Sequence, residues 1–260
     1  ALATALASCS TASKPKLSLS GSSTVAPLAA EIAKRYEASH PGSRVDVQTG
    51  GSSRGIADAR SGTAQIGLVS RALKPEEADL QATTIAIDGI ALIVNRANPV
   101  RSLSDDQIRA VYTGAISNWR QLGGADAPIT VVTKAEGRST LELFLEHFRL
   151  DNRRIRASVV IGDNQQGLLT VAADPHALGY VSIGTASQEA EAGTAIRLLP
   201  LAGIAPSLEN VRSGRYPLSR PLNLVIRPPA AAGVAPFLAF ARSPEVHDLV
   251  EAQFFVPPAR

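Results

Sequence analysis

Three times in this chain a short apolar run breaks into glycine and hydroxyl residues and then resumes as an amphipathic helix, and that rhythm restricts the fold more than any single residue does. The first occurrence is Leu19-Ser20-Gly21-Ser22-Ser23-Thr24-Val25, after which Val25, Leu28, Ala29, Ile32 and Tyr36 repeat at helical spacing. The second follows the alternating residues 44–48 and reads Gly50-Gly51-Ser52-Ser53-Arg54-Gly55, leading into a short helix closed by Gly62. The third begins at the apolar residues 129–132, passes through Thr133-Lys134-Ala135-Glu136-Gly137-Arg138-Ser139-Thr140, and enters a helix marked by Leu141, Phe144, Leu145 and Phe148. Strands alternating with helices in this way predict an α/β fold of mostly parallel sheets flanked by helices. In such folds ligands lie outside the carboxyl ends of the strands.

Each of these loops places hydroxyls where the first backbone N–H groups of a helix have no intrahelical partner. Such an end favours negative charge, because the free N–H groups and the helix dipole both point at it. Serine and threonine also serve there as ordinary helix caps, so one loop alone would decide nothing; the recurrence carries the argument. Between the second and third loops, residues 64–69 form a further predicted strand ending in Ser70-Arg71, and Pro75 with Glu76 and Glu77 is expected to open another helix. Residues 85–95 are the expected strand passing from one lobe to the other. Ser104-Asp105-Asp106-Gln107 has capping-box spacing, and Trp119, the single tryptophan, is expected to pack internally.

Composition removes several classes of function. With 260 residues, 45% hydrophobic and 19% charged, the chain is an ordinary globular one rather than a disordered or fibrous one. A net charge of +3 comes without a long basic run, and the cluster Arg149, Arg153, Arg154 and Arg156 lacks interleaved aromatics, so no nucleic-acid partner is expected. Four isolated histidines and one cysteine predict no metal site, no disulfide and no cofactor. Ala1 to Ser8 is a small-residue apolar run ending in Leu6-Ala7-Ser8-Cys9. It reads as the tail of an export signal with a lipobox-like sequence, making Cys9 the expected lipid-attachment site and Ser10 to Pro15 a tether. The expected location is therefore the periplasm or cell surface, at the membrane through that anchor.

The segments Gly21-Ser22-Ser23-Thr24-Val25, Gly50-Gly51-Ser52-Ser53-Arg54-Gly55 and Ser70-Arg71-Ala72-Leu73 occur in the order found in phosphate-binding proteins of bacterial ABC transporters. Asp88-Gly89-Ile90-Ala91, Tyr112-Thr113-Gly114, Asn118-Trp119, Leu178-Gly179-Tyr180-Val181, Tyr216-Pro217-Leu218 and Arg220-Pro221-Leu222 extend the match. The chain resembles that family over residues 17–255. The resemblance implies a two-lobed type II periplasmic-binding-protein fold, with residues 16–90 and 190–260 in the first lobe, 91–189 in the second, and 1–15 outside both. It further implies a monomer that binds inorganic phosphate, or another oxyanion, in the interlobe cleft and delivers it to a membrane permease. The site residues it implies are Ser22, Ser23, Thr24, Ser52, Ser53, Ser70, Arg71, Lys134, Arg138, Ser139 and Thr140. Where family members read Arg-Glu-x-Gly-Ser-Gly-Thr, this chain has Lys134-Ala135-Glu136-Gly137-Arg138-Ser139-Thr140. Arg138 is the expected main ligand cation, since a guanidinium offers two parallel donors where an ammonium is a point charge; the competing placement gives that role to Lys134 and turns Arg138 outward.

A hydrolase remains the alternative. Gly51-Ser52-Ser53-Arg54-Gly55 matches the G-x-S-x-G elbow that presents a nucleophilic serine, here Ser53, between a strand and a helix. That chemistry needs an acid and a histidine later in the chain, and His147, His176 and His247 are the available histidines.

Overall fold

The structure, a computed structural model, describes residues 16–258. The tether and Cys9 lie outside the described residues. The elements in order are β1 (Lys16–Gly21), α1 (Val25–Ser39), β2 (Arg44–Thr49), α2 (Ser52–Ser61), β3 (Ile66–Val69), β4 (Gln81–Asn95) and α3 (Asp105–Tyr112). There follow β5 (Thr130–Lys134), α4 (Ser139–Phe148), β6 (Val159–Ile161), α5 (Asn164–Ala173), β7 (Ala177–Ser182), α6 (Ile183–Glu191) and β8 (Ile196–Leu199). The chain closes with α7 (Leu208–Arg212), β9 (Ser219–Ile226), α8 (Val234–Arg242) and α9 (His247–Ala252).

Local sequence accounts for most of these boundaries. The buried face of α1 is Val25, Ala26, Leu28, Ala29, Ile32, Ala33 and Tyr36, the stripe that its spacing predicts, and each fully buried aliphatic side chain contributes about 1.5–3 kcal/mol. Gly62 ends α2 in the left-handed conformation. The Ser104 hydroxyl accepts from Gln107 N at 3.2 Å while Gln107 Oε1 accepts from Ser104 N at 2.8 Å, which starts α3. Trp119 is 1% exposed and donates its indole N–H to the His176 carbonyl. The helix expected at Pro75 is only a single 3₁₀ turn, Pro75–Glu77, because the chain must re-enter the sheet at Gln81.

The strands lie in the order β2-β1-β3-β9-β4-β7-β5-β6, with β8 also on β4. β1, β2 and β3 are mutually parallel, as are β5, β6 and β7. The two parallel sets meet through antiparallel pairings of β4 and β9. β4 is long enough to serve both halves. Its residues 81–89 pair with β9, while 90–94 pair with β7 on one side and 92–95 with β8 on the other.

Separate apolar clusters fill the two halves. One joins Leu19, Leu28, Ile32, Leu68, Ile85, Leu224 and Phe237; the larger of the others joins Ile90, Leu92, Trp119, Phe144, Tyr180, Leu199, Tyr216 and Leu218. The stretch 190–260, expected in the first lobe, is divided between them. Leu199, Leu201, Val211, Tyr216 and Leu218 pack with the second lobe, and Leu222 through Phe255 with the first.

Candidate functional site

The three strand-loop-helix junctions converge where the halves meet. Ser22, Ser23 and Thr24 ahead of α1, Gly51 and Ser52 at the start of α2, Ser70 after β3, and Arg138, Ser139 and Thr140 at the start of α4 line one cavity. The cavity is small, about 10 Å³ and so on the scale of one water molecule, and apart from Gly51 every residue lining it carries a polar side chain. Glycine permits the close approach. Gly51 has φ +95°, and a Cβ there would lie 2.8 Å from the Gly137 carbonyl and 2.9 Å from Arg138 Cδ, so a side chain would push the two lobes apart.

The hydroxyls are held by donors behind them. Ser22 Oγ accepts from the Thr24 and Val25 N–H groups at 3.2 and 3.4 Å, and Ser52 Oγ accepts from Ser70 N at 3.1 Å. The remaining loops are gathered by Arg220, which sequence reasoning quoted in a motif but gave no role. Its guanidinium donates to Thr24 Oγ1 at 3.2 Å, Ser70 Oγ at 3.3 Å and Thr140 Oγ1 at 3.0 Å, so one side chain touches the first and third junctions and the loop after β3. Asp88, its direct partner in the β4–β9 register, receives two further N–H groups at 2.9 and 3.2 Å. Both side chains are at most 1% exposed. Burial pulls the Arg220 pKa below the ordinary arginine value, and the Asp88 carboxylate opposes that. The signal for Arg220 in the sequence is that it is the single charge in the mostly apolar strand β9.

The expected cations fall in three different places. Arg138 borders the cavity, and its Nε is buried without a hydrogen-bond partner; the same is true of Ser139 Oγ. Lys134, 3% exposed, is one layer behind, its Nζ donating to Asn164 Oδ1 at 2.8 Å while Asn164 Nδ2 donates to Thr24 Oγ1 at 3.1 Å. Burial, followed by the nearby Arg220 and with a smaller contribution from Arg138, lowers the Lys134 pKa from 10.5 to about 7, against the pull of Asp163. Arg71 does not line the cavity. Its guanidinium grips Glu77 through two bonds of 2.8 Å and Glu142 at 3.0 Å; these carboxylates outweigh the cost of burial and raise its pKa.

Glu142 therefore ties the lobes together at the cleft mouth, since it also meets Lys74 Nζ at 2.9 Å. A second tie is the Ser53 N–H to the Gly137 carbonyl at 3.2 Å. Ser53 does not line the cavity either. Its exposed hydroxyl contacts only Glu142, at 3.4 Å, and no histidine belongs to the lining. The serine of the elbow motif is thus bonded to a carboxylate and not to a histidine. Among the described residues no group of three or more metal-ligating side chains occurs, and no helix is long and apolar enough to cross a membrane.

Comparison with known proteins agrees with this geometry. A family model described as the PBP superfamily domain matches residues 7–245. The phosphate-binding protein PstS of Bacillus subtilis (strain 168) is 28% identical over 247 residues, covering 93% of this chain and 80% of that protein. Among solved structures, a phosphate ABC transporter substrate-binding protein with bound phosphate from Clostridium perfringens superposes with a TM-score of 0.86 and 32% identity, covering 94% of this chain and 100% of that one. An ABC-type phosphate transport receptor from Vibrio cholerae gives 0.77 and 31%, with 93% and 100% covered. With the loops, the shared strand and the buried arginine in place, these matches establish that the chain belongs to the periplasmic-binding-protein superfamily, among the substrate-binding proteins of phosphate ABC transporters.

Proposed function

We propose that this protein captures inorganic phosphate between its lobes and delivers it to the membrane permease of an ABC transporter, without chemical turnover. The observation that carries the reading is a small, donor-lined cavity in which a guanidinium N–H and a serine hydroxyl are buried with nothing to bond. Buried polar groups without partners are unfavourable, and a tetrahedral anion supplies acceptors to both at once. The N-termini of α1, α2 and α4 add fixed positive potential, and Arg138 and Arg220 add charge. That the relatives are phosphate-binding proteins supports the same ligand.

In this reading the protein acts outside the cytoplasm as a monomer, held to the membrane through lipid on Cys9, which mass spectrometry of the protein from its native membrane would detect as added mass. Titration calorimetry tests the binding. Phosphate should bind one to one with micromolar or tighter affinity, roughly −8 kcal/mol or better. The Ser53→Ala variant should bind equally well, and neither protein should turn over an activated ester. Ester turnover lost in Ser53→Ala, with no phosphate binding in either protein, would establish the hydrolase instead.

A further inference from the structure

Among the described residues three cationic side chains are buried, Arg71, Lys134 and Arg220. Two have carboxylate partners: Arg71 holds Glu77 and Glu142, and Arg220 holds Asp88. Among the described residues Lys134 has none, and its Nζ bonds only to the amide oxygen of Asn164, at 2.8 Å. Asp163, ahead of α5, attracts it without forming an ion pair; the Asp163 Oδ1 accepts instead from Gln166 N at 2.8 Å. The other ionisable groups around Lys134 give no help. Arg220 on β9 and, less strongly, Arg138 at the start of α4 disfavour its charge. The Tyr180 phenol on β7 accepts from Lys134 N at 3.3 Å and stays neutral, burial pushing its pKa up to about 12. A buried ammonium without a counter-ion is unfavourable, and a lysine, unlike an arginine, escapes that cost by releasing its proton.

Two hydrogen bonds join this lysine to the cavity. Its Nζ donates to Asn164 Oδ1, and Asn164 Nδ2 donates to Thr24 Oγ1 at 3.1 Å; Thr24 lines the cavity at the start of α1. Thr24 Oγ1 also accepts from Arg220, so both its lone pairs are filled and its own O–H is left to donate to an anion. Hydrogen bonds in a chain polarise one another. A charge on Lys134 therefore makes Asn164 and then Thr24 better donors, and an anion on Thr24 in turn favours charge on Lys134. The anion also brings the negative charge that the lysine lacks, across a buried region where opposite charges attract more strongly than in water.

We propose that Lys134 takes up a proton from solvent when the anion enters the cavity, so that phosphate capture is coupled to the charging of a lysine one layer behind the cavity wall. The inference rests on the phosphate reading above and adds to it a proton that binds to the protein, at a residue that does not line the cavity. The neutral amine and one solvent proton give the ammonium, and no bond to the anion is made. In the anion-free protein burial, followed by Arg220, holds the lysine pKa at about 7. Above that value the proton must be acquired on binding, and affinity falls as pH rises; below it the lysine is already charged and binding takes up nothing at this site.

The test is calorimetric titration of inorganic phosphate at mildly alkaline pH, where the free ion keeps a single proton throughout, in buffers of different ionisation enthalpy that count the protons exchanged. The unaltered protein should take up about one proton per phosphate and lose about tenfold in affinity per pH unit. Lys134→Met, always neutral, and Lys134→Arg, always charged, should take up none and show flat profiles, with anion-free melting temperatures checking that each folds. A second measurement needs no variant. The chain holds five lysines, and in protein labelled with carbon-13 at the lysine side chains one of them should titrate near neutral pH without phosphate and stay protonated through the alkaline window with it. No proton uptake by the unaltered protein overturns the proposal, as does uptake that persists in either variant or a lysine titration that phosphate does not move. Failure of the unaltered protein to bind phosphate at all would instead overturn the functional reading on which the inference stands.

Discussion

On its first-lobe side the cavity is bounded by Ser22, Ser23, Thr24, Gly51, Ser52 and Ser70, none of them charged; on its second-lobe side it is bounded by Arg138, Ser139 and Thr140, with Lys134 behind them. The neutral wall is fixed by local backbone. Its Ser22 and Ser52 hydroxyls are oriented by backbone N–H groups two to eighteen residues away, and the wall presents dipoles that need no compensating charge when the cleft is empty. The charged wall is held by contacts across the molecule and leaves donors unsatisfied. The contrast teaches that geometry and charge are supplied by different lobes, so that an anion is fully bound only where the two meet. Arg220 is the exception, a first-lobe cation that reaches both sides.

Removing that exception should have the largest effect. Arg220→Met leaves Asp88 buried without its counter-ion, and loss of one partner from such a pair destabilises by about 3–5 kcal/mol; urea denaturation should show this, with phosphate binding abolished. In the double variant Arg220→Met, Asp88→Asn, most of the stability should return and the binding should not. If binding returned as well, Arg220 would be only a structural partner of Asp88 and the division between the walls would be complete.

Next in size is the comparison within the charged wall. Arg138→Ala removes a cation at the cavity, and the loss of a charge-assisted hydrogen bond predicts about 1.5–3 kcal/mol of phosphate affinity by calorimetry. Lys134→Met should lose less, because its ammonium is spent on Asn164 one layer back. The reverse order would show that the lysine carries the charge and that Arg138 serves as a lid.

The effect smallest per step of the titration concerns protonation. Lys134 has a folded pKa of about 7, depressed from 10.5, so between those values the unfolded chain binds a proton that the anion-free folded protein does not. The anion-free protein should therefore gain stability as pH rises through that window, by at most about 1.4 kcal/mol per pH unit, and the contribution should be constant below about pH 7. Denaturation midpoints of the unaltered protein and Lys134→Met, compared across that range, read the difference. Equal slopes would mean that the charged wall does not titrate and behaves like its neutral counterpart.

Much of this arrangement is written in short stretches of sequence. The glycine-hydroxyl junctions, the apolar stripes of α1 and α4 and the crossing strand β4 all follow from periodicity and caps within a few residues. Arg220 and Asp88 are 132 residues apart, and nothing local links them; only the antiparallel register of β9 on β4 does. Residues 196–199 are likewise placed by pairing with the distant 92–95 half of β4, and Leu201, Val211, Tyr216 and Leu218 by packing in the same cluster. Arg71 illustrates an intermediate case. Glu77, six residues away, is a partner within reach of sequence reasoning, while Glu142 is not.

The position of β9 also bears on how the chain comes into being. In the first lobe β3 and β4 are neighbours in sequence, yet β9 lies between them, so that half of the sheet has a vacant slot until residues 219–226 arrive. The second-lobe elements run without interruption from the middle of β4 to Leu218. A chain emerging from its N-terminus thus carries every strand of the second lobe before the first has its last one. The first hydroxyl junction to be synthesised, at Ser22 to Thr24, is among the last to acquire the arginine that orients it.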